Sequence, residues 1–100
     1  MVDLKKLQKE IYQNKIDKEF NVTDVAMEFL LTHEELSEAY RAYHKKLPDV
    51  GEELADVAIY LLGLSEILNI DLENEIIKKI EKNKNRVYRQ LNGVSVRIKD

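Results

Sequence analysis

A chain of 100 residues supports one domain with a modest core, and 44% hydrophobic with 35% charged residues, one Pro and three Gly suit an amphipathic helical bundle. The net charge of −3 gives no bulk electrostatic case for nucleic acid, and the lack of cysteine excludes disulfides, thiol nucleophiles and zinc–thiolate sites, as expected of a cytoplasmic protein. The N-terminal MVDLKKLQKE has no signal-peptide core, and the most apolar run, Leu54–Leu64, is too short to cross a bilayer, so no membrane role is expected.

Leu4, Leu7, Ile11, Tyr12 and Ile16 keep helical spacing, which predicts a first amphipathic helix over about Val2–Lys18. Asn21-Val22-Thr23-Asp24 breaks the pattern, with Thr23 as a candidate N-cap, and a second helix is expected over about Asp24–Lys45. One apolar stripe there passes through Val22, Ala26, Phe29, Leu30, Leu36 and Tyr40. The stripe beside it takes in Met27, Leu31, Glu35, Glu38 and Ala42, which puts both acids at the edge of the buried face. Lys45-Lys46-Leu47-Pro48-Asp49 ends this helix and caps the next, and so short a link makes the two antiparallel neighbours. The third helix runs from Val50 to about Asn69, and Asp71 caps a fourth, Leu72–Gln90, with an apolar line at Leu72, Ile76, Ile80, Val87 and Leu91. Beyond Gly93, Val94-Ser95-Val96-Arg97-Ile98 alternates like a strand but is too short for a sheet alone, and residues 93–100 read as a tail or an arm onto a partner. The expected architecture is all-α: an antiparallel bundle of about four helices spanning residues 1–92.

Chemistry concentrates in two acidic pairs. Glu35 and Glu38 stand one turn apart, as do Glu53 and Asp56, and from Leu54 to Leu64 the only charge is Asp56. A carboxylate in so apolar a run is costly unless compensated. The first pair lies roughly 10–15 Å before its helix end and the second roughly 5–10 Å after its helix start, at about 1.5 Å per residue. Those depths overlap in an antiparallel hairpin. Two like charges about 4 Å apart repel by roughly 4 kcal/mol at an effective dielectric near 20, so a shared cation is favoured. Oxygen donors without Cys, and without a Glu three residues before His33 or His44, favour Mg²⁺ or Mn²⁺ over zinc or a di-iron centre. On the fourth helix Lys79, Asn83 and Arg86 recur along one face as a stripe of donors suited to phosphate. Taken singly, each pattern is also that of a solvated charged face.

The ordered set, Glu34-Glu35-Leu36-Ser37-Glu38, then Glu52-Glu53-Leu54-Ala55-Asp56-Val57, then Lys79, Asn83 and Arg86, resembles the MazG-like all-α nucleoside triphosphate pyrophosphohydrolases over about Asp24–Tyr88. The resemblance implies hydrolysis of a (deoxy)nucleoside triphosphate to the monophosphate and pyrophosphate in nucleotide-pool housecleaning. It implies Mg²⁺ on Glu35, Glu38, Glu53 and Asp56, and a homodimer or homotetramer whose helices complete one another's cores. Phosphoanhydride cleavage needs neutralised phosphate charge and an oriented water, so Glu35 or Glu38 is the candidate to orient or deprotonate it, while Lys79, Asn83 and Arg86 would bind phosphate oxygens. Tyr60, one turn after Asp56, is a candidate hydrogen-bond partner of a ligand carboxylate or a core aromatic. Many relatives carry a Trp near the nucleoside and this chain has none, which leaves base preference open. The competing readings are a non-catalytic helical oligomer that serves as an interaction module, and a phosphoribosyl-ATP pyrophosphohydrolase.

Overall fold

The computed structural model describes residues 1–99, with side chains through residue 98. The chain is mostly helical: α1 (Leu4–Asp17), α2 (Val25–His44), α3 (Val50–Ile67) and α4 (Leu72–Lys84) are followed by a hairpin of β1 (Val87–Leu91) and β2 (Val94–Lys99). Three helices start on an aspartate whose carboxylate takes an orphan N–H of the first turn: Asp3 from Lys6, Asp24 from Met27 and Asp71 from Asn74. The cap of α2 is therefore Asp24 rather than Thr23. The approach to it is held by Asn21, whose Oδ1 accepts from the N–H groups of Thr23 and Asp24. Asp49 occupies the cap position of α3 but makes no side-chain cap bond.

The first three helices end alike. Glu19, Lys46 and Asn69 turn to φ near +58° (59°, 58° and 57°), and the next N–H reaches back a full turn: Phe20 to the Lys15 carbonyl, Leu47 to Ala42 and Ile70 to Ser65. This is the six-to-one closure that satisfies last-turn carbonyls, here built without glycine.

The body of the protein is α1, α2 and α3. α2 and α3 run antiparallel, with Phe29, His33 and Leu36 beside Val57, Leu61 and Leu64, and Tyr40 and Tyr43 beside Val50 and Leu54. α1 crosses the other side of α3. A Cβ on Gly63 would stand 3.3 Å from Ile11 Cγ2, so the small residue lets the helices approach. Gln8, also on α1, donates to Glu66 Oε1 at 3.0 Å and to the Ile70 carbonyl at 2.7 Å. α4 meets this body mainly at α1. Its first-turn Glu73 accepts from the Leu4 N–H at 3.0 Å, and Lys5 pairs with Asp71 at 3.2 Å.

The fourth helix is shorter than its spacing predicts. It stops at Lys84, and Val87–Leu91, expected as its last turns, forms β1. Val94 onward, expected as a lone tail, is its antiparallel partner, with Leu91 opposite Val94 and Arg89 opposite Val96. The reason is local: Asn92 and Gly93 take φ of 52° and 79°, which closes a two-residue hairpin turn, and alternating side chains on both sides then pair. Among the described residues no helix is long and apolar enough to cross a membrane.

Candidate metal centre

Glu35 and Glu38 project from the middle of α2, and Glu53 from the first turn of α3. The antiparallel pairing brings one carboxylate oxygen of each to within 4.8 Å of the others. Asp56, one turn further along α3, is not in this closest group but adds to its field, raising the pKa of both Glu35 and Glu53. Glu35 is pushed above the ordinary carboxylate value first by burial and then by the charges of Glu38, Asp56 and Glu53. Glu53 is raised by burial, then by Asp49 and Glu38.

Asp49 is the acid that its place in the sequence disguises. In the cap position it reads as a helix start, yet its Oδ1 is buried without a hydrogen-bond partner, as is Oε2 of Glu53. The signal was its spacing: four residues before Glu53, it falls on the same face. A cleft of about 220 Å³ opens here, lined by Glu38, Arg41, Ala42, Lys45, Leu47, Asp49 and Glu53. Arg41 and Lys45 are thus the cations that α2 itself brings beside the acids, and Arg41 also reaches Glu34 at 3.5 Å.

The donor set fits a hard divalent cation. It is all carboxylate oxygen from two facing helices, and Glu53 Oε2 in it and Asp49 Oδ1 beside it are buried without a proton donor. The first-turn N–H groups of α3 add positive partial charge near Glu53. Neither histidine joins the cluster: His44 stacks on Tyr40 with ring centroids 5.8 Å apart.

Behind the cluster lies a second charged group, unforeseen from spacing. Lys15 of α1 meets Glu28 of α2 at 2.6 Å, with both side chains buried, and Asn21 donates to the other Glu28 oxygen at 3.1 Å. The Lys15 ammonium sits 5.4 Å above the ring of Tyr60. Burial, then the charges of Glu35 and Glu28, raises the phenol pKa of Tyr60. Tyr60 is half-buried and lines a small pocket with Ile11, Lys15, Phe20 and Ile59.

Lys79, Asn83 and Arg86 lie along α4, where Arg86 Nη1 donates to Asn83 Oδ1 at 3.0 Å. Among the described residues α4 packs on α1 and makes no comparable contact with α2 or α3, so a single chain does not bring this stripe to the acids. No family model matches the chain, and comparisons with curated proteins and with solved structures return no match.

Proposed function

We propose that the protein is a Mg²⁺-dependent nucleotide pyrophosphohydrolase that cleaves a nucleoside triphosphate between its α- and β-phosphates and works as a homo-oligomer. The observation that carries the proposal is the convergence of Glu35, Glu38 and Glu53 from two helices with Asp56 and Asp49 beside them. The ordered motif set, with its likeness to MazG-like enzymes, supports the choice of substrate.

Glu35, Glu38, Glu53 and Asp56 would hold Mg²⁺, or Mn²⁺ in its place. The ion would supply charge neutralisation at the phosphate oxygens and acidify the attacking water. Glu35, whose pKa is raised, is the carboxylate suited to take the water proton as its oxygen attacks the α-phosphorus. The bond to the bridging oxygen breaks, and its electron pair leaves with pyrophosphate. Arg41 and Lys45 offer positive charge at the mouth of the cleft. Lys79, Asn83 and Arg86 would serve phosphate across a subunit boundary, since one chain keeps them apart from the acids.

The homo-oligomer reading rests on how little each chain buries. Ala39, Ala42, Leu62 and Leu64 are the buried apolar residues among those described, while Phe29, Leu36, Tyr40 and Leu54 lie exposed along the α2–α3 seam. A compact domain of this length has a radius of gyration of about 13 Å; this chain has 16.8 Å. The same exposure favours the second reading, a helical interaction module without turnover.

Thermal melting separates the two. A ligand at 100 times its Kd stabilises the native state by about 2.7 kcal/mol. The enzyme reading expects Mg²⁺ to raise the melting temperature and a cognate nucleotide to raise it further. Melting indifferent to both across a nucleotide panel would leave the interaction module.

A further inference from the structure

We propose that the C-terminal hairpin is an arm that lays its apolar face on the helical body of a second copy of this chain. The register sorts its side chains onto two faces. The pairs Leu91–Val94 and Arg89–Val96 share one, while Tyr88–Arg97 and Gln90–Ser95 share the other, where Gln90 donates to Ser95 Oγ at 2.6 Å. Leu91, Val94 and Val96 thus form an apolar strip on the first face, 47%, 61% and 37% exposed, and the ladder becomes irregular beyond Arg97. Among the described residues the two strands pack on each other and make no comparable contact with any helix. A lone two-stranded hairpin is marginal in water and gains stability from a surface to cover its apolar face.

Charge selects the occupant. Residues 86–98 carry three arginines and no acid, whereas residues 1–85 carry 18 acids against 12 lysines and arginines. A basic arm on an acidic body is repelled by other arms and drawn to the helices of another copy. The helical body also exposes the apolar side chains that such an arm would cover, Phe29, Leu36, Tyr40 and Leu54 among them. The inference rests on the homo-oligomer part of the proposed function and is independent of the reaction.

The test uses the absence of cysteine. A spin label on Ser95→Cys occupies a unique thiol on the polar face of the hairpin, away from the docking strip. Labelled protein is mixed with an isotope-enriched, unlabelled copy, and intermolecular line broadening is read by NMR. The proposal expects broadening of amides in α1, α2 or α3 of the enriched copy, lost on adding Val96→Asp to the labelled chain. An oligomer without intermolecular broadening overturns the proposal but leaves the oligomer reading standing. So does broadening confined to residues 87–99, which would mean hairpins pairing edge to edge, or broadening that requires added duplex DNA. A monomer overturns both. Sedimentation without the label is the second arm: Val96→Asp should raise the dissociation constant at least tenfold with the helical circular dichroism unchanged, and an unchanged constant contradicts the arm.

Discussion

Glu35 is the residue at which structure and proposed chemistry meet, because its ionisation is disfavoured until something neutralises its neighbours. Folding raises the pKa of Glu35 and Glu53 above the ordinary 4.5. The folded state therefore holds more protons than the unfolded chain just above that value. The contribution is a stabilisation present below the ordinary pKa and lost as pH rises through the raised ones. Without metal, melting temperature should fall as pH rises above the ordinary carboxylate value, and Mg²⁺ should reverse the loss. Asp71 has the opposite sign: the Asn74 N–H and Lys5 hold its pKa below 3.8, so its contribution disappears only in stronger acid. Glu35→Gln should flatten the pH dependence, raise the metal-free melting temperature by a few degrees and abolish the response to Mg²⁺. The approach of Glu35, Glu38 and Glu53 was legible because acids recur there at one-turn spacing beside apolar stripes, while Asp56 stands outside their closest group. Asp49 was not, since an acid at a helix start has a sufficient local explanation. The Lys15–Glu28 pair was hidden for another reason: its partners lie on different helices, and nothing in sequence order reports their meeting. Removing one partner of a buried pair costs about 3–5 kcal/mol, whereas replacing both with apolar groups can restore stability. Denaturant melts should accordingly show Glu28→Ala strongly destabilised and Lys15→Met with Glu28→Leu recovering much of the loss.

Three helices start on aspartates that bond the first turn, and of these Asp71 alone is legible as a cap: Thr23 competes with Asp24, no pattern break marks Asp3, and Asp49 holds its cap position without the bond. The helix ends were harder, since the left-handed residues are Glu19, Lys46 and Asn69, none of them glycine. The left-handed region costs an ordinary residue about 1–2 kcal/mol, part of which glycine avoids. Glu19→Gly and Lys46→Gly should each raise stability by up to about 1 kcal/mol, measured by urea denaturation, despite adding backbone freedom to the unfolded chain. At Gly63 the direction reverses. A leucine there would drive its side chain into Ile11 and Lys15, and about 1–3 kcal/mol of overpacking is expected. The end of α4 is where the periodicity misled. Val87 and Leu91 fit a helical line as well as a strand, and the deciding signal lay downstream, in Asn92-Gly93 and the alternation after it.

At the scale of the molecule, sequence patterning told which faces are apolar but not which of them a single chain would cover. Ile76 and Ile80 mark a helix face expected in a bundle core, yet they remain 40% and 52% exposed because α4 packs on α1 and makes no comparable contact with α2 or α3 among the described residues. Apolar periodicity records that a face is buried somewhere, and it is silent on whether the cover comes from the same chain. Sedimentation equilibrium should therefore give a mass at least twice the 11.7 kDa of one chain. Leu36→Glu on the α2–α3 seam should weaken that association while keeping helical circular dichroism. The central claim is that Glu35, Glu38, Glu53 and Asp56 hold a cation for cleavage of a nucleotide phosphoanhydride. The most direct measurement is product analysis after incubating the protein with a panel of nucleoside triphosphates and Mg²⁺, alongside Asp56→Asn. The account predicts monophosphate and pyrophosphate in equal amounts from at least one nucleotide, and at least a hundredfold slower release by Asp56→Asn at unchanged fold, about 2.7 kcal/mol of barrier. Orthophosphate as the product, no turnover of any nucleotide, or a fully active Asp56→Asn would contradict it.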